Sequence, residues 1–286
     1  MITAAFGVLF DGFAYGMLLF LLSVGLSVTL GMMNFVNLAH GSFAMLGAYV
    51  AVTLMGLGWP FLATLPCAFL LSAVVSVAFE RTLFRRLYRA SDLQQVLLTL
   101  GLVFMSVAAA AYLYGTMQQP VRLPAYLRSY TTFAGINFSI YRLFLIAVGL
   151  TITVLLVAAL EYTRFGAQVR ASVDNQRMAQ GLGIDVDGVF AIAFALGSGL
   201  AGLGGALAIE IVGLDPNFAF TYLIYVLIVV AVGGLGSIRG SLLAAILLGV
   251  SDAAGKYYVP TLGPFLIYLV MVSLLLWRPS GLFGRR

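Results

Sequence analysis

The chain has 286 residues, 62% of them hydrophobic and 9% charged, with fifteen Lys and Arg against ten Asp and Glu. A soluble domain is about 45–50% apolar and about a quarter charged, so lipid must be the solvent over most of this length. A single cysteine, Cys67, excludes an internal disulfide framework, and a single histidine, His40, excludes the usual zinc sites.

A transmembrane helix needs about 20 mostly apolar residues, and the first run, 8–31, has that length. No Lys or Arg precedes Arg81, and there is no basic leader or cleavage signature, so the run reads as a retained span rather than a signal peptide. The stretch from Gly31 to Ser42 then interrupts the apolar sequence with two amides, Asn34 and Asn37, the imidazole of His40 and the hydroxyl of Ser42. Polar groups between glycines fit a helix broken inside the protein, where freed backbone groups become solute contacts. They equally fit a short hairpin at the membrane face with Asn and His as caps. Asn34, Asn37, His40 and Ser42 are the candidate pathway residues.

Apolar runs follow at 41–56, 60–80 and 94–114, with Arg81, Arg85, Arg86 and Arg89 between the second and third. Residues 115–140 are too few for a binding domain. Their Pro120, Pro124, Tyr126, Tyr130 and Phe133 suggest an interfacial loop. The run at 141–162 leads into a polar segment, 163–187, that cannot cross a bilayer. Within it Ala171, Asn175, Ala179 and Gly183 recur every fourth residue, which predicts a stripe of small residues along one helix, and Arg170, Asp174 and Arg177 can hold that helix in water. A solvated loop helix is the plainer alternative. Glu80 and Glu161, flanking the basic segments, read as interfacial ion-pair partners of little worth.

The run at 188–212 carries Gly197, Gly199, Gly202, Gly204 and Gly205, a composition for close helix packing in lipid. Glu210 near its end is expected at the outer interface beside Asp215-Pro216-Asn217. The last runs are 220–234, 240–254 and 262–278. Six of the nine runs are of full length, and 41–56, 220–234 and 240–254 are short. None alternates as a barrel strand does. The expectation is an all-α polytopic helix bundle of eight or nine spans, including short broken helices, in a single domain over 1–286.

A second break, with Gly233, Gly234, Gly236, Arg239 and Gly240, separates two of the short runs, and Arg239-Gly240-Ser241 echoes His40-Gly41-Ser42. Paired interruptions are a sequence pointer to a transport site. No phosphate-loop signature occurs, so no ATP site is read from the sequence. Ten of the fifteen cations lie in 81–93, in 163–187 and from Arg278 to Arg286, interspersed with apolar runs rather than gathered into a nucleic-acid patch. That asymmetry places these segments and the C-terminus in the cytoplasm and the N-terminus outside.

The pattern Thr163-x-x-Gly166-x-x-x-Arg170-Ala171-x-x-x-Asn175-x-x-x-Ala179-x-x-x-Gly183-Ile184 resembles the cytoplasmic coupling loop of the permease subunits of branched-chain amino acid ABC importers, the LivH-like group. Gly25-Leu26 through Gly31, leading into Asn37-Leu38-Ala39-His40-Gly41-Ser42, and Val232 through Gly240 are similar to further stretches of that family, so the likeness spans roughly residues 20–280. The resemblance implies an ABC importer permease architecture in a bacterial or archaeal cytoplasmic membrane, embedded in lipid. It implies a chain that is not itself an enzyme and needs no cofactor. The implied partners are a second related permease, two cytoplasmic ATPases that hydrolyse the ATP, and an extracytoplasmic solute-binding protein. Gly166, Arg170, Ala171, Asn175, Ala179 and Gly183 would serve coupling. The solute could be a branched-chain or other amino acid, urea, an amide or an aromatic acid. The lack of a clear carboxylate in the inner spans argues against a strongly cationic one. An ion-coupled secondary transporter using Glu210 and Asp252, or a facilitator of small polar solutes, is the alternative.

Overall fold

Apolar runs in lipid have no water to satisfy their backbone groups, so each closes its hydrogen bonds internally as a helix. The computed structural model describes residues 2–33, 35, 37–88, 90–121, 123–133 and 136–284. In chain order it has α1 (Ile2–Met33), α2 (His40–Gly56) and α3 (Phe61–Phe79), the last continued by a π-helical turn (Glu80–Phe84) and a short α4 (Arg85–Leu87). Next come α5 (Asp92–Tyr114), the single turn α6 (Ala125–Arg128), the strands β1 (Tyr130–Phe133) and β2 (Ile136–Ser139), and α7 (Ile140–Tyr162). Then follow α8 (Arg164–Asp174), α9 (Gln176–Gly181), α10 (Val186–Val212), α11 (Phe218–Gly233), α12 (Ile238–Tyr258) and α13 (Gly263–Trp277).

Among the described residues six helices are long and apolar enough to cross a membrane, and α2, α11 and α13 are shorter. The bundle is therefore all-α in its spans, with a small antiparallel hairpin in the 115–140 connection, Tyr130 opposite Ser139 and Phe133 opposite Ile136. One length differs from expectation. The stretch read as a short run at 240–254 belongs to the full-length α12, and the run at 262–278 yields the short α13. The reason is local: Asp252 is buried and paired with Lys256 one turn later at 2.6 Å, so α12 continues through polar residues to Tyr258. Pro279 disfavours helical geometry at Arg278 and stops α13.

The helices α1 and α10 form the centre. Leu18, Leu19, Phe20, Leu21 and Leu22 of α1 and Ala206, Leu207 and Ala208 of α10 have no exposed surface. Around them α12, α7 and α11 pack on α1, and α2 and α3 pack on α10. On the outside, α5 and α7 present Leu97, Phe104, Leu150 and Val154 outward, as lipid-facing helices do. Lipid offers no hydrophobic drive between helices, so packing depends on small residues that let backbones meet. Gly25 lies against Gly197, Gly47 against Gly202, and Gly16 against Ala245 and Ile246; a methyl at any of them would collide with backbone. The glycine-dense part of α10 is thus a packing surface.

The cation-rich segments gather at one end of the bundle. Arg85 is ion-paired with Asp187 at the start of α10, and Phe283 lies with Gly166 and Arg170 of α8 around one cavity. Arg89, Arg122, Arg285 and Arg286 fall outside the described residues. The N-terminal half of α1 is at the opposite end, where Asp11 pairs with Arg142 at the start of α7.

Candidate transport site and coupling segment

Segment 163–187 folds as two short helices, each with its own caps. The Thr163 hydroxyl accepts from the Gly166 amide at 3.2 Å and starts α8. Asn175 ends α8 and starts α9, its Oδ1 accepting from the Met178 amide at 3.0 Å. Gly183, with φ of +84°, ends α9: Ile184 N donates to Ala179 O and Gly183 N to Gln180 O, both at 3.0 Å. That is a Schellman stop, which requires the left-handed region glycine tolerates. Asp185 then caps α10 by accepting from the Gly188 amide at 3.1 Å.

The single small-residue stripe expected from the sequence is therefore not formed. Asn175 is exposed at a break, Gly183 is exposed in a turn, and Ala171 is half-buried. Ala179 is 2% exposed, in a small apolar cluster with Val169, Val186, Val189 and Phe190. The physical reason is that an Asn side chain offers the backbone a cap that competes with helix continuation. What the segment turns outward is Arg177, Met178 (68% exposed) and Leu182 (81% exposed). Gly166 lets α8 fold tightly back on the end of α7, because a side chain there would strike the Leu160 carbonyl. The Arg170 guanidinium donates to that same carbonyl.

A cavity of about 430 Å³ at the cation-rich end of the bundle, the inner cavity in the orientation proposed below, joins residues that the sequence presented separately. Gly31 of α1, Glu161 of α7, Gly166 and Arg170 of α8, and Gly236 and Arg239 of the second break all line it. Arg239 Nη2 donates to Glu161 Oε1 at 2.6 Å, the ion pair expected of Glu161. Gly31 and Gly236 bring their backbones together. The second break is a turn at this end. Gly234 has a φ of +95° and packs against Gly284, Phe283 N donates to Gly233 O at 3.1 Å, and the Gly240 amide donates to the capping Ser237 hydroxyl at 3.0 Å.

In the first break, Phe35, Asn37, Ala39, His40 and Gly41 are buried. Asn34 lies outside the described residues. Phe35 packs on Phe84 and Tyr88, with ring centroids 5.4 and 5.6 Å away. His40 Nε2 lies 2.9 Å from the Leu22 carbonyl, and Ser42 Oγ lies 2.7 Å from Ser106 Oγ. Asn37 is buried, and among the described residues neither its Nδ2 nor its Oδ1 has a hydrogen-bond partner. Asn37, His40 and Ser42 do not line either of the two large cavities. The two Gly-Ser echoes share one feature: Ser42 bonds Ser106 of α5, and Ser241 bonds Ser27 of α1. Their preceding residues differ, since His40 is buried whereas Arg239 is exposed.

One carboxylate departs from expectation. Glu80 is buried within the π-helical turn and accepts from the Tyr88 hydroxyl at 2.8 Å, rather than forming an interfacial ion pair. Burial, and then this bond, push the Tyr88 phenol above its usual pKa. Glu210 is exposed near the end of α10.

A third feature was not singled out in the sequence. At the end opposite the inner cavity, a cavity of about 540 Å³ opens between α1, α7, α10, α11 and α12. Asp11, Tyr15, Arg142, Tyr222, Asp252 and Lys256 are on its wall. Arg142 is ion-paired with Asp11, and Lys256 with Asp252 at 2.6 Å. The Lys256 ammonium also lies 5.5 Å from the centre of the Tyr15 ring. Asp252, a candidate for the ion-coupled alternative in the sequence, and Asp11, which was not singled out, both lie in helices long and apolar enough to span a membrane. The available signal was the spacing of Asp252 and Lys256, four residues apart in an apolar helix.

Comparison with known proteins agrees with the residue pattern. The family model described as branched-chain amino acid transport system / permease component matches residues 8–275. The chain is 27% identical to the high-affinity branched-chain amino acid transport system permease protein LivH of Escherichia coli K12, over 97% of this chain and 94% of LivH. It is 30% identical to a probable branched-chain amino acid transport permease protein LivH of Methanocaldococcus jannaschii, over 94% of this chain and 90% of that one. It is also 26% identical to the E. coli K12 permease protein LivM, over 93% of this chain and 68% of LivM. No solved structure matches it. With the match covering nearly all of a helical bundle that has a capped polar insert at one end, the chain belongs to the branched-chain amino acid transport system permease family.

Proposed function

We propose that this chain is the membrane-spanning permease subunit of an ATP-driven importer and carries branched-chain or related amino acids into the cell. The observation that carries this reading is the α8–α9 pair. It is polar, defined by its own caps, and held to the bundle by the cluster around Ala179, and it presents Met178 and Leu182 outward. A solvated loop helix has no need of two exposed apolar side chains in a rigid setting, whereas a docking face does. The cytoplasm is assigned to this end because the cation-rich segments collect there.

In the proposed assembly two cytoplasmic ATPases bind ATP, close together and press on segment 163–187 of the single permease domain. Hydrolysis takes place on those partners. Because α8 forms part of the wall of the inner cavity, its displacement changes the opening on that side. Likeness to both LivH and LivM, two permease proteins of one E. coli transport system, supports pairing with a second related permease. A separate extracytoplasmic binding protein would deliver the solute, since the described residues of the 115–139 connection form one helical turn and a hairpin. Asn34, Asn37, His40 and Ser42 stay candidates for the pathway, Asn37 foremost because its buried amide is unpartnered among the described residues.

The test is purification of the tagged chain from its native membrane in mild detergent, followed by identification of co-eluting proteins. Two ATPases and a second hydrophobic permease are expected. A single species that binds no ATPase and carries solute on an ion gradient when reconstituted alone would overturn the reading.

A further inference from the structure

The outer cavity holds two cations and two carboxylates, so its wall is neutral overall but strongly dipolar. Charges at membrane depth are expensive and therefore mark function more often than packing. Asp252 is the clearest case: its side chain is 5% exposed, and its ion-pair partner Lys256 is 58% exposed. A carboxylate buried in an apolar helix and matched to a half-solvated ammonium is a poor structural staple, because the desolvation cost falls on one side of the pair. Beside these charges lie Tyr15 and Tyr222, with Ile211 and Val212 at the end of α10, so an apolar wall adjoins the charged one. The volume of about 540 Å³ is that of a small-molecule site.

We propose that this cavity is a recognition site on the permease itself for the zwitterionic head of an α-amino acid. The solute carboxylate is taken by Arg142 or Lys256 and its ammonium by Asp252 or Asp11, while an apolar side chain rests on Tyr15 and Tyr222. The zwitterion inserts between the two members of one existing pair, Arg142 and Asp11 or Lys256 and Asp252, so entry leaves no wall charge unmatched. A solute bearing only one of the two charges would leave one wall charge without a partner, most costly where that charge is the buried Asp252. The site therefore prefers zwitterions to cations or anions of the same shape. The inner cavity repeats the balance with Glu161, Asp174, Arg170 and Arg239, which suits the same solute on leaving. This inference rests on the importer reading above and adds the chemistry of the solute that the permease selects.

The test uses the assembled transporter with Ala253→Cys, a position on the cavity wall, in a Cys67→Ser background. The rate of alkylation at residue 253 by a water-soluble maleimide is followed by mass spectrometry. Excess leucine should slow it about tenfold or more, the effect of roughly 1.4 kcal/mol. Leucinamide, which lacks the carboxylate, and 4-methylpentanoate, which lacks the ammonium, should not. Asp252→Asn should abolish the protection, and so should the double variant Asp252→Asn/Lys256→Gln. Recovery of protection in the double variant would show a merely structural ion pair and overturn the proposal. Equal protection by either analogue would overturn it too. Absence of leucine protection in a complex that still imports leucine with ATP would refute this site and leave the importer reading standing. A complex without ATP-driven import would remove that reading and the proposal with it.

Discussion

The outward face of α9 gives the sharpest prediction, because buried and exposed positions of one short helix make opposite demands. Met178 and Leu182 are 68% and 81% exposed, so Met178→Asp or Leu182→Asp should change folding stability by no more than about 0.5 kcal/mol. If the two side chains anchor an ATPase groove, each loss should cost about 2 kcal/mol or more of docking energy, which is roughly 30-fold in affinity. Ala179 behaves in the reverse way. It packs with Val169, Val186, Val189 and Phe190, so Ala179→Trp forces an indole into a filled cluster at a cost of about 1–3 kcal/mol or more. That variant should loosen α9 and lose coupling through local unfolding rather than by blocking a surface. The assay is ATPase affinity for the solubilised permease pair, with the thermal midpoint and backbone hydrogen exchange across 163–187 measured in parallel. Normal ATPase binding by Met178→Asp and Leu182→Asp, together with loss of binding by an Ala179→Trp chain whose exchange is native, would refute the assignment of the outward face.

Asn175→Ala removes the cap of α9 and should cost about 1 kcal/mol, seen as faster exchange at the Met178 amide with α8 unaffected. Gly31→Val drives a side chain into the Gly236 backbone and should lower the thermal midpoint markedly, whereas Gly7→Val, with open space around it, should not. Ser27 and Ser241 share a buried hydrogen bond, and a double-mutant cycle of Ser27→Ala and Ser241→Ala should return a coupling of about 0.6 kcal/mol. Asn37→Leu removes two buried polar atoms that lack partners among the described residues, so stability should hold or rise. Uptake should nevertheless fall while ATPase binding is retained, and unchanged uptake would demote Asn37 to a turn residue.

Span positions were legible because they depend on a one-dimensional quantity, the length of an apolar run. The exception, α12, ran longer than its apolar stretch because Asp252 and Lys256 neutralise each other within one turn, a pairing that a hydrophobicity count does not see. Segment 163–187 was legible as a polar helical insert but not in its division. The every-fourth-residue recurrence of Ala171, Asn175, Ala179 and Gly183 suggested one helix. Yet two of those four are residues that end helices, Asn175 by its side-chain cap and Gly183 by its positive φ. Thr163-x-x-Gly166 and Asn175-x-x-Met178 were readable as capping signals. The first break was located correctly, while its hydrogen bonds to Leu22 and Ser106 depend on long-range packing that no local pattern encodes. The outer cavity was missed for the same reason. Its charged groups come from α1, α7 and α12, and their meeting depends on how the helices are arranged.

The two large cavities share one wall. Val8, Asp11 and Tyr15 of α1 face the outer one, and Val28 and Gly31 face the inner one. Tyr15 and Val28 are thirteen positions apart, about 20 Å of helix, with α1 held against α12 in between by the contacts of Gly16 with Ala245 and Ile246 and of Ser27 with Ser241. The small residues at these contacts let the two backbones approach closely between the cavities. The proposed docking force enters at the other end of the same chain of contacts. Pressure on α8 reaches α7 through the Leu160 carbonyl, which meets both Gly166 and Arg170, and the next residue, Glu161, holds Arg239 in the first turn of α12. That ion pair is largely solvated and on its own is worth about 1 kcal/mol at most, so it cannot drag a helix. The stiff element must be the backbone contact at Gly166. Under the proposed coupling, movement of α8 would tilt the end of α7 and with it the cavity wall that includes Gly31 and Gly236.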